Sequence, residues 1–171
     1  MDKYMPDIYQ KNIYTIDYKK LYNRGIRCIL FDIDNTLVSR NSEEIDNKVK
    51  ELFEKIKKMK IEPIIYSNSS SNRVDYFKDE LKCRGYSHVH SHIKKKIDAI
   101  LYDYKESEIA IVGDEMINDV SYGNKLGITT ILVNPISTKD SFLSFSRRGK
   151  EKRVMTKLRN NNLFVKARYY E

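Results

Sequence analysis

The chain has 171 residues, of which 40% are hydrophobic and 13 are tyrosine. This length is typical of one domain that buries a substantial core. No stretch approaches the roughly 18 apolar residues of a membrane-spanning helix, and the first ten residues lack the apolar centre of a signal peptide. Cys28 and Cys83 lie far apart in the sequence, which argues against a disulfide scaffold. We therefore expect a cytoplasmic protein.

The net charge of +8 is concentrated at the carboxyl end. Residues 147–171 contain nine Lys or Arg and two Glu, which leaves 23 basic and 22 acidic residues in 1–146. A nearly neutral body with a basic tail favours an anionic partner, either nucleic acid or an acidic membrane surface. The alternative is a solvated tail without a partner, because basic runs are common.

The first half of the chain alternates helix and strand patterns. Asp17 is suited to cap a short helix that ends at Gly25, and an apolar strand follows over Ile26–Phe31. Ser42 is suited to cap a long helix. The apolar positions of that helix share one stripe at helical spacing: Ile45, Val49, Leu52, Phe53, Ile56 and Met59. A second strand follows over Ile61–Tyr66.

The second half continues the alternation. We expect a helix from Ser71 that Gly85 closes, a short strand over Tyr86–His90, and a helix that carries Ile97, Ile100, Leu101 and Tyr104. Strands over Glu108–Val112 and Ile128–Val133 flank a helix over Asn118–Leu126. Such alternation predicts a Rossmann-like three-layer α/β sandwich with a mostly parallel, five-stranded sheet. The predicted division is a core over residues 1–137 and a basic helical extension over 138–171.

The segment FDIDNTLV places Asp32 and Asp34 directly behind the first strand. Ligand sites of open α/β sheets lie at the carboxyl ends of strands, and side chains two residues apart share a face. Two neighbouring carboxylates repel each other unless a cation lies between them or one of them carries a proton and serves a different role. The functional interpretations are a nucleophile beside a general acid/base, or a metal site. The alternative is a solvated turn formed by Asn35 and Thr36.

Polar residues also follow the other strong strands. Ser67 and Asn68 follow the second, and Gly113, Asp114 and Asp119 follow the strand over Glu108–Val112. A parallel sheet brings these strand ends to one edge. A lysine cluster, Lys94–Lys96, lies in the sequence between Asn68 and Gly113. Acids, a hydroxyl group and a lysine suit phosphoryl transfer, because a carboxylate can attack phosphorus while a cation and hydrogen-bond donors stabilise the charge.

The order and spacing of these residues resembles the four motifs of the haloacid dehalogenase (HAD) superfamily. The motifs here are Asp32 with Asp34, then Ser67, a lysine, and Gly113-Asp114 with Asp119. The match is closest to the YqeG-like phosphatases of subclass IIIA, which are related to phosphatidylglycerophosphate phosphatases. The resemblance extends over most of residues 5–136.

The resemblance implies a role for each matching residue. Asp32 would be the nucleophile, and Asp34 would protonate the leaving group and then activate water. Ser67 and Asn68 would bind phosphate. Mg²⁺ would be held by the Asp32 carboxylate, the Asp34 backbone carbonyl and Asp114, with Asp119 close in or acting through water.

The lysine motif departs from the pattern of the family, which usually has Lys-Pro. This chain has three lysines between Ile93 and Ile97 and no proline. Spacing favours Lys95 as the catalytic and phosphate-binding lysine, while Lys94 and Lys96 stay open as alternatives.

The implied function is a Mg²⁺-dependent phosphomonoester hydrolase with an aspartyl-phosphate intermediate, and phosphatidylglycerophosphate is one candidate substrate. Only 35 residues separate Asp32 from Ser67, and 28 separate Ser67 from Lys95. Neither interval can hold a separately cored cap domain. We therefore expect an open site, suited to a large or surface-bound phosphate. The alternative function is a HAD-fold protein that binds RNA or a ribosomal particle through its tail.

The apolar residues near the carboxyl end are Phe142, Leu143, Phe145, Val154, Met155 and Leu158. Three interpretations of them stay open. This segment could lie on an anionic bilayer at the membrane periphery, bind RNA, or cover the sheet edge of its own domain.

Two other groups carry weaker signals. The alternating His88, His90 and His92 favour a plain edge strand over a metal cluster. Glu115 either faces the site or starts the next helix, and Asn118 has the same two interpretations.

Overall fold

The computed structural model describes residues 2–91, 93–137, 144–165 and 168–169. Within these ranges, six parallel strands form one sheet in the order β1-β6-β5-β2-β3-β4. The strands are β1 (Ile8–Gln10), β2 (Cys28–Phe31), β3 (Glu62–Tyr66), β4 (Arg84–Tyr86), β5 (Ile109–Gly113) and β6 (Thr129–Val133).

Helices connect the strands. They are α1 (Tyr18–Asn23), α2 (Asn47–Lys58), α3 (Ser71–Leu81), α4 (Ile93–Leu101), α5 (Ser121–Leu126) and α6 (Ser144–Asn160). A single π-helical turn, Met116–Val120, leads into α5, and short 3₁₀ turns lie at Asp2–Tyr4 and Glu106–Glu108.

The central strand β2 shows how the sequence produces three layers. All four of its side chains are buried. Ile29 and Phe31 pack with α1, α2 and α3 on one face, whereas Cys28 and Leu30 pack with α4 and α5 on the other. Successive side chains of a strand point to opposite faces, so a continuous apolar run fits a sheet that is covered on both sides. The predicted Rossmann-like α/β sandwich is confirmed.

The described sheet has six strands rather than the predicted five. The additional strand, β1, is three residues long and pairs with β6 at the sheet edge, with Ile8 opposite Ile131. A strand of this length is too short for an alternating pattern to distinguish it from a loop.

Several predicted element boundaries are wrong. The helix predicted to carry Tyr104 ends at Leu101. The cap of α2 is Asp46 rather than Ser42: the Asp46 side chain accepts a hydrogen bond from the Lys48 amide, whereas the Ser42 hydroxyl, four residues before Asp46, donates to the Glu44 carbonyl. Helix α3 ends at Lys82 in the left-handed conformation (φ 50°) rather than through Gly85. Gly85 lies in β4 instead, where a Cβ atom would approach Val74 to 3.0 Å.

The predicted strand Tyr86–His90 is displaced to Arg84–Tyr86. The chain turns after Tyr86, and His88 has a positive φ of 46°. His88 and His90 are exposed, and His92 lies outside the described residues. The alternation of these histidines therefore does not reflect a strand.

Helix α6 packs on the edge of the sheet formed by β1 and β6. Leu158 and Phe164 are buried in one cluster with Tyr9 and Leu132, and the Phe164 ring lies 5.2 Å from that of Tyr9. Val154 and Met155 pack against the same cluster. These apolar residues therefore cover the sheet edge of their own chain. Phe142 and Leu143 lie outside the described residues, as does the side chain of Phe145.

Among the helices that the structure describes, none combines the length and the apolar character needed to cross a membrane.

Candidate active site

Three neighbouring strands deliver the predicted site residues to one edge of the sheet. Asp32 follows β2, Ser67 follows β3 and Asp114 follows β5. Asp32 still takes part in the strand pairing, since its amide donates to the Val112 carbonyl at 3.1 Å. The convergence follows from the parallel order β5-β2-β3.

Two serines connect the two acids of the first motif. The Ser67 hydroxyl donates to Asp32 Oδ1 at 2.7 Å, and the Ser69 hydroxyl donates to Asp34 Oδ2 at 2.6 Å. The two serine oxygens are themselves 3.0 Å apart. Each carboxylate is thus oriented by a hydroxyl group from the loop that follows β3.

A tight turn follows β2, but it is buried rather than solvated, since Asn35 and Thr36 are 1% and 2% exposed. Asn35 has a positive φ of 62°, which asparagine tolerates better than most residues, and its amide donates to the Val38 carbonyl at 2.7 Å. Thr36 in the same turn donates its hydroxyl to Asp114 Oδ1 at 3.3 Å. The turn and the acidic site are therefore parts of one structure.

Three carboxylates approach each other closely at this edge. Asp32, Asp114 and Asp119 each offer an oxygen atom, and the three atoms lie within 4.8 Å of one another. Asp119 reaches the cluster from the π-helical turn, where its Oδ2 accepts the Glu115 amide at 2.9 Å. Hard carboxylate oxygens are the ligands that Mg²⁺ prefers.

The electrostatics of this cluster fit a cation. The pKa of Asp32 is raised to about 7, mainly by burial and also by the charge of Asp34, with the Ser67 hydrogen bond partly opposing the rise. Burial and then the charge of Asp32 raise the pKa of both Asp114 and Asp119 well above the usual range. Each carboxylate opposes ionisation of its neighbours, and a divalent cation among them offsets that repulsion.

An open cavity of about 290 Å³ lies over the cluster. Its polar lining comprises Asp32, Asp34, Arg40, Ser67, Asn68, Ser69, His90, Glu115, Asn118 and Asp119. Tyr66 and Tyr122 add a stacked aromatic pair with hydroxyl oxygens 2.9 Å apart. The interval from Asp32 to Ser67 contains α2 and β3, and the described residues from Ser67 to Lys95 add α3, β4 and the start of α4, so neither described interval contains a cap domain.

Glu115 and Asn118 face the cavity rather than only starting a helix. The Asn118 side-chain amide donates to Glu115, and Glu115 also pairs with Arg40 at 3.5 Å. Asn68 is exposed, and its side-chain oxygen accepts the His90 amide at 3.4 Å.

The lysine cluster is not part of the described cavity lining. Lys95 is exposed on α4. The Lys96 ammonium donates to the carbonyls of Ser87, His88 and Ser91 at 2.6, 2.6 and 2.9 Å, and desolvation lowers its pKa. Lys96 therefore organises the loop before α4. The side chain of Lys94 lies outside the described part of the structure.

Arg73 is the main site residue that sequence reasoning missed. Its guanidinium donates to Asp34 Oδ1 from Nε at 3.2 Å and from Nη2 at 2.9 Å. Ser69, also missed, contacts the other oxygen of Asp34. The only signal in the sequence was the polar run after β3, which did not show which side chains turn back towards β2.

Helix α6 contacts the loop that carries the acidic cluster. Glu151 Oε1 accepts the Met116 amide at 3.1 Å, at the start of the π-helical turn. The Glu151 charge also contributes to the raised pKa of Asp114. The basic tail is thus anchored beside the site.

Comparisons with known proteins agree with this geometry. The model of the family described as Mitochondrial PGP phosphatase matches residues 2–137. A probable phosphatase, YqeG of Bacillus subtilis (strain 168), is 30% identical over 158 residues, covering 91% of this chain and 92% of the relative. Phosphatidylglycerophosphate phosphatase 1, chloroplastic/mitochondrial, of Arabidopsis thaliana is 27% identical over 144 residues; the alignment covers 78% of this chain but only 41% of that protein.

A solved structure supports the fold alone. A hypothetical protein from Xanthomonas campestris superposes with a TM-score of 0.53 at 11% identity, covering 84% of this chain and 80% of the other. The family match and the YqeG relative together establish that the chain belongs to the Mitochondrial PGP phosphatase family and is a phosphatase.

Proposed function

We propose that the protein is a Mg²⁺-dependent phosphomonoesterase that works through an aspartyl-phosphate on Asp32. The observation that carries this proposal is the position of Asp32. Its carboxylate accepts the Ser67 hydroxyl at 2.7 Å and also belongs to the acidic cluster with Asp114 and Asp119. A phosphate bound there would meet a nucleophile and a hydroxyl donor together.

In the proposed reaction, an Asp32 oxygen forms a bond to phosphorus while the bond from phosphorus to the ester oxygen breaks. Asp34 gives a proton to the departing oxygen. A water molecule then attacks the phosphorus of the aspartyl-phosphate and loses a proton to Asp34, which releases phosphate and restores both carboxyl groups. Asp34 lines the same cavity as Asp32, which suits this exchange of protons.

Asp32, Asp114 and Asp119 would hold the Mg²⁺ ion, together with the backbone carbonyl of Asp34. When bound, the ion would offset the negative charge shared by the carboxylates and the phosphate. Ser67 and Asn68 would donate hydrogen bonds to the phosphate oxygens. Spacing favours Lys95 for phosphate binding, but Lys95 is exposed and outside the described cavity lining, and the Lys96 ammonium donates to three backbone carbonyls. Lys95 is therefore only the first lysine to test, with Lys94 as the alternative.

We propose a large or lipid phosphate as substrate, with phosphatidylglycerophosphate the first to test. The open cavity and the absence of a cap between Asp32 and Ser67 support this choice. The name of the Arabidopsis relative also points to that lipid. Release of phosphate from phosphatidylglycerophosphate in mixed micelles is expected, and no release would rule out this substrate.

The exposed charges of α6 support association with an anionic bilayer. The described basic side chains on this helix are exposed: Lys150, Lys152, Arg153, Lys157 and Arg159. The apolar residues Val154, Met155 and Leu158 pack on the body of the protein instead. We therefore propose electrostatic attachment rather than insertion of an apolar helix face.

Vesicle binding tests this attachment. The double variant Lys152→Glu/Arg153→Glu should bind vesicles of phosphatidylglycerol and phosphatidylcholine less tightly, and added salt should weaken wild-type binding. Lys55→Glu/Lys58→Glu makes the same charge change at exposed positions of α2 and should have less effect. Equal losses in both variants, or tight binding to RNA with none to vesicles, would contradict the proposal.

The catalytic proposal is tested with a generic aryl phosphate, with and without Mg²⁺. Turnover should require the metal and should be lost in Asp32→Asn. Asp98→Asn changes an exposed acid on α4 and serves as the matched control. Full turnover by Asp32→Asn would show that Asp32 is not the nucleophile.

A further inference from the structure

Arg73 holds three parts of the chain together at the edge of the active site. It lies in the first turn of α3, whose cap Ser70 accepts the Arg73 amide at 3.4 Å. Its Nε and Nη2 atoms donate to Asp34 Oδ1, and its Nη1 atom donates to the Ser42 carbonyl at 2.8 Å. All three guanidinium nitrogens are therefore engaged, and the group lies over the Phe77 ring, 5.1 Å from its centre.

The contacts fix the orientation of the Asp34 carboxylate. Arg73 binds Oδ1 through two donors, while the Ser69 hydroxyl binds Oδ2 at 2.6 Å. A carboxylate held at both oxygens cannot rotate freely about its bond to Cβ. The Arg73 side chain is only 20% exposed, so solvent weakens this ion pair less than one on the open surface.

This fixed orientation matters if Asp34 exchanges protons with the leaving oxygen. Proton transfer needs the carboxyl oxygen within hydrogen-bond reach of the departing atom, and a displacement of about 1 Å costs roughly 100-fold in rate. We propose that Arg73 is a positioning residue that aims Asp34 at the leaving oxygen. This inference rests on the proposed function, since it requires Asp34 to be the acid/base.

A purely structural role is the alternative, because Arg73 also connects α3 to the segment around Ser42. The two roles differ in their dependence on the leaving group. A nitrophenolate leaves with little help from an acid, whereas an alkoxide needs a proton as it departs. A structural defect lowers the rate for both substrates, but a misplaced Asp34 lowers the rate mainly for the alkyl phosphate.

The experiment compares kcat/KM for p-nitrophenyl phosphate and an alkyl phosphate in Arg73→Gln, Arg73→Lys and Asp34→Asn, because kcat/KM reports the step in which the leaving group departs, whereas both substrates share the later hydrolysis of the aspartyl-phosphate. We expect Arg73→Gln to lose at least about tenfold more kcat/KM on the alkyl than on the aryl substrate, with the same selectivity as Asp34→Asn. Arg73→Lys should recover part of that loss because it keeps one charged donor. The double variant Arg73→Gln/Asp34→Asn should be no more selective than Asp34→Asn alone.

Arg84→Gln is the matched control. Arg84 also contacts two partners, Glu62 at 2.7 Å and Asp103 at 2.8 Å, but it lines none of the active-site cavity. It should show no selectivity between the substrates. If Arg73→Gln does not fold, Arg73→Lys and Ser69→Ala supply the same comparison.

Equal losses on both substrates in the Arg73 variants, or no loss, would overturn the positioning role while leaving a selective Asp34→Asn effect intact. If Asp34→Asn itself showed no selectivity, the acid/base role within the proposed function would fail, and the inference about Arg73 would fail with it.

Discussion

The Asp119 carboxylate occupies the space in which a side chain on Gly113 would lie. A Cβ atom built on Gly113 would be 2.0 Å from Asp119 Oδ2 and 2.1 Å from its Cγ. Such distances are far inside van der Waals contact, so only glycine at position 113 allows Asp119 to reach Asp32 and Asp114. A residue without any side chain thus shapes the acidic cluster.

We predict that Gly113→Ala weakens Mg²⁺ binding at least about tenfold while leaving all three carboxylates present, because their geometry would no longer be held. Isothermal titration with Mg²⁺ measures the change. Gly149→Ala is the control, since its added Cβ would have no neighbour within 4 Å and α6 should tolerate it. Unchanged affinity in Gly113→Ala would show that Asp119 is not needed for the metal.

The raised pKa of Asp32 predicts how stability depends on pH in the metal-free protein. The folded protein holds this proton between pH 3.8 and about 7, where the unfolded chain has lost it. The cluster's contribution to the free energy of unfolding therefore falls as pH rises through that window. Above about pH 7, bound Mg²⁺ should offset this loss of stability.

Calorimetric melting measures this effect. Mg²⁺ should raise the melting temperature more at about pH 8 than at about pH 5, where protonated carboxyl groups bind it poorly. The response should disappear in Asp114→Asn and persist in the exposed control Asp98→Asn. An equal rise at both pH values would contradict the prediction.

Leu158 in α6 should contribute strongly to stability. It is completely buried against the cluster that contains Tyr9 and Met116. Leu158→Ala should therefore lower the free energy of unfolding by about 2–5 kcal/mol, through lost burial and the cavity left behind. Leu163 is 45% exposed, and its alanine variant should cost under about 0.5 kcal/mol. If urea unfolding gave similar losses of stability for Leu158→Ala and Leu163→Ala, α6 would not pack on the sheet edge as described.

Replacement by methionine should lower the stability of the protein at Lys96 but not at Lys95. Lys96→Met removes three hydrogen bonds to the carbonyls of Ser87, His88 and Ser91 and should cost about 1 kcal/mol, because the loop is partly solvated. Lys95→Met should leave stability unchanged, since Lys95 is exposed.

Kinetics then test the proposed role of Lys95 in phosphate binding. Lys95→Met should raise KM for an aryl phosphate without lowering the melting temperature. If KM does not change in Lys95→Met but rises in Lys94→Met, the phosphate-binding lysine is Lys94.

The sequence predicted that the acidic residues converge, but it did not predict which neighbouring side chains hold them in place. Asp32 and Asp114 follow apolar strands that are buried along their whole length, and parallel strands of one sheet end at a common edge. Local sequence therefore carried enough information to place them together. Arg73 could not be placed in this way, because its contact with Asp34 depends on the direction of one side chain across 39 residues of sequence separation.

The incorrect boundaries have a similar origin. Ser42 and Asp46 both suit a helix cap, and side-chain preference alone does not show that the helix begins after Asp46. Gly85 matched the pattern of a helix end, yet its small size serves the close approach of β4 to Val74 on α3. Such choices depend on tertiary contacts rather than on local preference.

Trapping the covalent intermediate shows whether Asp32 is the nucleophile. The protein is mixed with Mg²⁺ and a substrate labelled with phosphorus-32, quenched in acid and digested. We predict acid-stable, hydroxylamine-sensitive label on the peptide that contains Asp32, and none in Asp32→Asn. Label on another residue, or rapid turnover with no trapped label and full activity in Asp32→Asn, would show that Asp32 does not form the intermediate.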